Sequence, residues 1–274
     1  MLKQRVLTAL VLAPLALWVV LFASHEVFAY VMMGVIAVAA YEWGMLCGLS
    51  GIRQTAFAFF SLILMLLAYS YDQAVDYQLL LLVVSATWAI LTLWLILQRS
   101  ELEPHHGVFY PGLLIGLALL FVAWFSVVQI HAIESHGSHL VMILLLMIWI
   151  ADTAAYFSGR QFGRHKLSPR VSPGKSWEGV IGGLIGVAVF GWFLTLHEYF
   201  QSVNPLLLSL LSMLVAFISV GGDLFESRIK RQRGVKDSGK ILPGHGGIYD
   251  RIDSVIAAAP VYLLGLTLIN GSAS

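Results

Sequence analysis

Cysteine and charge are what this 274-residue chain has least of. Its one cysteine, Cys47, excludes an intramolecular disulfide framework and a cysteine-rich zinc site. Charged residues make up only 11% against 59% hydrophobic ones, and the mean hydropathy is +0.84, which excludes a soluble enzyme. No internal repeat is visible, which weighs against a carrier built from repeated halves. The net charge of +1 decides little, because the placement of the charges matters more.

What the chain does have is apolar runs. Stretches able to cross about 30 Å of hydrocarbon as helices fall at 6–23, 27–46, 55–71, 79–97, 111–130, 140–157, 179–196, 205–222 and 254–270. They predict an all-α, polytopic transmembrane helical bundle of about nine spans. The first run follows Lys3 and Arg5 but is long for a signal peptide and lacks an A-x-A site, so it reads as a retained anchor. The polar segments 1–5, 47–54, 98–110, 158–178 and 223–253 hold all sixteen Lys and Arg. The alternate loops carry Glu26, Asp72, Asp76, Glu134 and Glu198 and no cation. The positive-inside asymmetry predicts a cytoplasmic N-terminus and a C-terminus outside. One integral membrane domain over 1–274 is expected, with less specific spans in 1–139 and a catalytic part in 140–270.

Two of the cytoplasmic loops carry chemistry. Segment 159–179 (GRQFGRHKLSPRVSPGKSWEG) places Arg160, Arg164, Lys166, Arg170 and Lys175 among glycines and prolines, a composition suited to an anion-binding loop. Gly174-Lys175-Ser176 is not a P-loop, because position 169 is proline and a membrane span precedes it. The stretch 227–253 packs seven Lys/Arg, three Asp, one His and five Gly into 27 residues. Asp223, Asp250 and Asp253, without Cys ligands nearby, suit a hard cation, above all Mg²⁺. Salt bridges to Arg228, Lys230 and Arg251 are the competing use of these acids. His245, between Gly244 and Gly246, suits contact with a ligand rather than proton transfer.

Two further acids, Glu42 and Asp152, fall inside apolar spans, where carboxylates are costly and are functional candidates. Asp152 leads into the first basic loop and is placed to line a nucleotide or metal pocket. Glu42 either serves the site or pairs with a loop arginine. The glycines at 179, 182, 183 and 186 form G-x-x-x-G patterns, a helix-packing device.

Ser227, Ile229, Lys230, Arg231, Lys236, Asp237, Gly239, Leu242, Pro243, His245, Gly246, Gly247, Ile248, Asp250, Arg251, Ile252 and Asp253 fall where a known signature has them. By these residues and the run SPGKSWEG at 172–179 the chain resembles the phosphatidate cytidylyltransferases, the CDP-diacylglycerol synthases. The specific likeness covers roughly 146–260; the first 140 residues share mainly hydropathy and the Glu42-Trp43 pair.

The resemblance implies CTP and phosphatidate as substrates, CDP-diacylglycerol and pyrophosphate as products, and a bacterial inner membrane with the site facing the cytoplasm. It implies catalytic roles for Asp223, Lys236, Asp250 and Asp253, the three aspartates also holding Mg²⁺. It implies substrate binding by Asp152, Lys175, Ser176, Lys230, Arg231, His245, Gly246, Gly247 and Arg251. The expected partners are CTP, phosphatidate of the cytoplasmic leaflet and membrane lipids, with no nucleic acid; a homodimer is allowed but not specified. The rival readings are a CTP-dependent polyprenol or phytol kinase and, from another class, an ion-coupled transporter using Glu42 and Asp152.

Charge placement generates a first prediction. Cysteines introduced into 158–178 and 223–253 are expected to react with a membrane-impermeant maleimide only after the cells are opened. Reaction of either segment from outside intact cells would overturn the topology.

Overall fold

The computed structural model describes residues 2–71, 76–98, 103–242, 244 and 246–271, so Asp72, Arg99, Pro243 and His245 lie outside the described residues. Nine α-helices are described: α1 (Leu2–Phe22), α2 (His25–Leu46), α3 (Ile52–Ser70), α4 (Gln78–Leu97), α5 (Tyr110–His131), α6 (Gly137–Phe162), α7 (Trp177–Phe193), α8 (Pro205–Gln232) and α9 (Tyr249–Gly271). Between α6 and α7 lies a hairpin of β1 (Lys166–Ser168) and β2 (Ser172–Ser176). Among the described residues, eight helices are long and apolar enough to cross a membrane, and Leu10–Phe22 is a shorter apolar stretch within α1. The protein is a polytopic, essentially all-α membrane protein. Its large exposed side chains are apolar, such as Phe59, Ile63 and Leu67 on α3 and Leu82, Ile90 and Leu97 on α4. Such a surface is stable against acyl chains and not against water.

The chain divides into two compact units. The first comprises Met1–Val75, Glu103–Val141 and Ile229–Ile256. Its centre is α2, which packs on α3 and α5. Small buried residues, Ala29, Ala39 and Ala40, let those helices approach, while Phe28, Met33 and Trp43 fill the space around them. Trp43 donates its indole N–H to the Gly112 carbonyl at 2.9 Å, and its ring leaves no room for a side chain at Gly116.

The second unit comprises Asp76–Leu102, Met142–Arg228 and Ala257–Ser274. A core of Leu95, Ile96, Leu167, Val171, Val180 and Leu224 joins α4, the hairpin, α7 and α8. The glycine run of α7 meets the small residues of α6: a Cβ at Gly183 would lie 2.8 Å from the Ala151 carbonyl, and one at Gly186 3.0 Å from the Ala154 methyl. Hydroxyls inside the helices bond back to their own backbone, Ser212 to the Leu208 carbonyl at 2.8 Å and Ser158 to that of Ala154 at 2.7 Å, so no water is needed to satisfy them.

Two helices run past the ends that hydropathy assigns. The sixth span is expected to stop at 157 and the eighth at 222, whereas α6 continues to Phe162 and α8 to Gln232. Hydropathy marks where lipid contact ends, but a helix keeps its hydrogen bonds within itself and continues into water. Lys230 and Arg231 in the last turn of α8 also favour the negative end of its dipole. Part of each expected loop is therefore helical.

The close approach of α6 and α7 is testable. Gly183→Val is expected to destabilise the protein by roughly 1–3 kcal/mol through overpacking, read as a lower thermal midpoint in detergent. An unchanged midpoint would show that the helices separate without cost.

Candidate active site

In the second unit the hairpin is fixed from below and from the side. Its strands pair antiparallel, Lys166 opposite Ser176 and Ser168 opposite Ser172. Leu167 and Val171, 3% and 4% exposed, are the two apolar side chains that root this basic segment in the core. Trp177 N–H donates to the His165 carbonyl at 2.9 Å. The Glu178 carboxylate accepts the His165 N–H at 3.2 Å and lies 2.6 Å from its Nδ1. Ser176 caps α7, its hydroxyl accepting the Gly179 N–H at 3.1 Å.

The hairpin so held forms one wall of a cleft of about 310 Å³, lined by Asp152, Tyr156 and Arg160 of α6 and by Gly174, Lys175 and Ser176. Lys175 Nζ sits 2.5 Å from the Asp223 carboxylate of α8, with both side chains partly exposed. Glu226 lies one turn beyond Asp223, and the two present carboxylate oxygens within 4.8 Å of each other. Oxygen donors at this spacing fit a hard divalent cation better than a soft one.

In the first unit the glycine-rich segment between α8 and α9 is tied at its base. Asp250, in the first turn of α9, accepts from Lys230 Nζ at 2.7 Å, from Ser238 N–H at 3.0 Å and from Gly247 N–H at 2.8 Å. Gly246 adopts a φ of +84°, and a Cβ there would lie 2.6 Å from the Asp250 carboxylate. At the tip, Leu242 N–H donates to the Gly246 carbonyl at 3.0 Å. Arg233 leaves α8 to donate to the carbonyls of His105 and Gly107, both at 2.9 Å. Arg231, Lys236 and Arg251 are exposed, and Asp253 is half-buried one turn after Asp250.

Of the expected residues, the structure thus gathers Asp152, Lys175, Ser176 and Asp223 around one cleft, and Lys230, Gly246, Gly247 and Asp250 around one loop base. Asp250 spends its carboxylate on protein donors. Among the described residues Glu42 pairs with no arginine; it accepts from the Ser238 hydroxyl and from the Tyr249 N–H. Tyr156 and Glu226 are additions to the expected set, and Arg160, expected only as one cation of the basic loop, stands on α6 at the cleft. Their signal was helical spacing: 152, 156 and 160 share a face of α6, and 226 follows 223 by one turn, once the helices are known to continue. The thiol of buried Cys47 is pushed up to about 12 by desolvation and so stays protonated.

A helical membrane protein with a cation-lined cleft and paired carboxylates defines a class of membrane enzymes that handle phosphates. Within that class, the model of the cytidylyltransferase family matches residues 3–269. The chain is similar to the phosphatidate cytidylyltransferase of Pseudomonas aeruginosa, 42% identical over 96% of each chain. It is similar to those of Haemophilus influenzae, 36% identical over 96% of this chain and 97% of the other, and Thermotoga maritima, 34% identical over 98% of each. The chain belongs to the cytidylyltransferase family.

The two ion pairs are expected to behave differently. Lys230 and Asp250 are 13% and 7% exposed, so Asp250→Ala strands a buried cation and two backbone N–H groups and costs about 3–5 kcal/mol. Lys175→Ala breaks a solvated pair worth about 1 kcal/mol or less. Thermal midpoints of the two purified variants check this, and a larger loss for Lys175→Ala would refute it.

Proposed function

We propose that this protein transfers the cytidylyl group of CTP to phosphatidate, releasing pyrophosphate and leaving CDP-diacylglycerol in the bilayer. What supports the reading is one observation above others: in a chain of this family, Lys175 and Asp223 meet at the rim of a cleft that also receives Asp152, Arg160 and Ser176. The names of the curated relatives supply the substrates.

In the reaction an oxygen of the phosphatidate phosphate attacks the α-phosphorus of CTP, a new P–O bond forms, and the bond to the β-phosphate oxygen breaks. That nucleophile is already ionised, so no general base is required. The work left to the protein is positioning and charge neutralisation. Lys175 and Arg160 flank the cleft and would bind phosphate oxygens, with Ser176 presenting the capped start of α7. Lys236, Arg231 and Arg251, on exposed positions of 231–251, would add charge towards the leaving pyrophosphate. Gly246 and Gly247 would let backbone approach the phosphates, and His245 would position them.

We assign Mg²⁺ to Asp223, one of the three aspartates expected to hold it, together with Glu226 one helical turn further along α8. Bound there, it would supply Lewis-acid stabilisation of the phosphate charge. Asp250 serves the loop base instead, and Lys230 neutralises it. The charge asymmetry of the loops supports a cleft on the cytoplasmic side, and the bacterial relatives support an inner-membrane location.

The test is an assay of purified protein with CTP labelled in the cytidine, phosphatidate and Mg²⁺. Cytidine-labelled lipid is expected; transfer of only the γ-phosphate to an alcohol would replace this reading with the kinase. Asp223→Asn is expected to lower turnover at least about 100-fold, the scale of removing one electrostatic contact from a transition state, with chelation of Mg²⁺ abolishing the remainder.

A further inference from the structure

Glu42 is 1% exposed, on an apolar helix, and the cleft chemistry does not use it. Its Oε2 accepts the Tyr249 N–H at 2.8 Å and the Ser238 hydroxyl at 3.2 Å, residues 207 and 196 positions away in the chain. These two partners stand at the two ends of the glycine-rich loop 239–248. The Ser238 hydroxyl in turn accepts the Asp250 N–H at 3.3 Å, so one buried hydroxyl couples Glu42 to the Asp250 base. Next in sequence, Trp43 stacks on Tyr249 with ring centres 5.2 Å apart and planes 26° apart. Gly239 and Gly247 are glycine for the same reason: the Glu42 carboxylate occupies the space a Cβ would need at either. The Ile248 N–H also faces the carboxylate, but among the described residues the buried Oε1 has no partner in hydrogen-bonding geometry. A packing role would be met by an apolar side chain at far lower cost. What the site uses is one acceptor oxygen.

We infer that Glu42 is a positioning residue, holding both ends of the loop 239–248 through one buried acceptor so that the loop meets its nucleotide already ordered. The role in catalysis rests on the CTP reading above; the lock on the loop does not. Glu42 touches no reacting atom, and its effect travels through Ser238 and Tyr249. Because Ser238 and Tyr249 both bond the single oxygen Oε2, the amide oxygen of glutamine can replace it, whereas methionine keeps the volume and removes the acceptor.

The experiment compares full-length Glu42→Gln and Glu42→Met with the unaltered chain, corrected for folded fraction. Amide hydrogen exchange across 238–249, without substrate, is expected to accelerate about tenfold or more in Glu42→Met, as two hydrogen bonds are lost, and to change less than about threefold in Glu42→Gln. In the CTP assay, kcat/KM for CTP should fall by about the same factor in Glu42→Met, carried mainly by KM, and recover in Glu42→Gln. Unchanged loop exchange in Glu42→Met overturns the inference, as does a Glu42→Gln protein impaired as severely as Glu42→Met. If the unaltered protein makes no cytidine lipid, the cytidylyl reading falls, and the exchange comparison still decides the role of Glu42.

Discussion

Donors from three parts of the chain converge on the carboxylate of Asp250: the ammonium of Lys230 from α8, and the N–H groups of Ser238 and Gly247 from either end of a glycine-rich loop. The segment 234–247 carries five glycines, and glycine loses more conformational freedom on ordering than any other residue. Short-range contacts within such a segment are too few to offset that loss. Order has to be imposed from its ends, and a buried anion surrounded by donors does so in a medium where water cannot compete. The end of α8, Ser238, Gly247 and the start of α9 are thereby tied to one another, and the neighbouring Glu42 adds a second anchor at Ser238 and Tyr249.

The seven cations of 227–253 look alike in the sequence and are used differently in the structure. Arg228 stacks over the Trp94 ring at 4.7 Å and hydrogen-bonds Gln98. Lys230 neutralises Asp250, and Arg233 is spent on the carbonyls of His105 and Gly107. These three hold the protein together. Arg231, Lys236, Lys240 and Arg251 lie at exposed positions.

Much of this was legible in advance because a bilayer simplifies the reading: apolar runs must become helices, and α2 to α5 begin and end within a few residues of where hydropathy puts them. The family, too, was legible in the residues of 227–253 and 172–179. What escaped did so for physical reasons. Glu226 lies on a helical turn beyond the expected span, where hydropathy falls silent although the helix does not, and Tyr156 shares its face with Asp152 and Arg160 only because α6 continues past 157. The hairpin escaped because its prolines and charges read as loop, and only Leu167 and Val171 betray that it has a buried underside. The partners of Glu42 escaped because an acid in an apolar span suggests a cation, while a hydroxyl and a backbone N–H some two hundred residues away leave no mark on local sequence.

The length of α8 carries a consequence for how a lipid is reached. From Pro205 to Asp223 the helix rises about 27 Å, close to the roughly 30 Å of the hydrocarbon layer. With Pro205 at one border of that layer, Asp223 and Glu226 come level with the opposite border between acyl chains and headgroups. That is the depth at which a glycerophospholipid carries its own phosphate. A lipid substrate could diffuse sideways to the carboxylates with its tails still solvated by neighbours, and only the water-soluble reactant would have to descend.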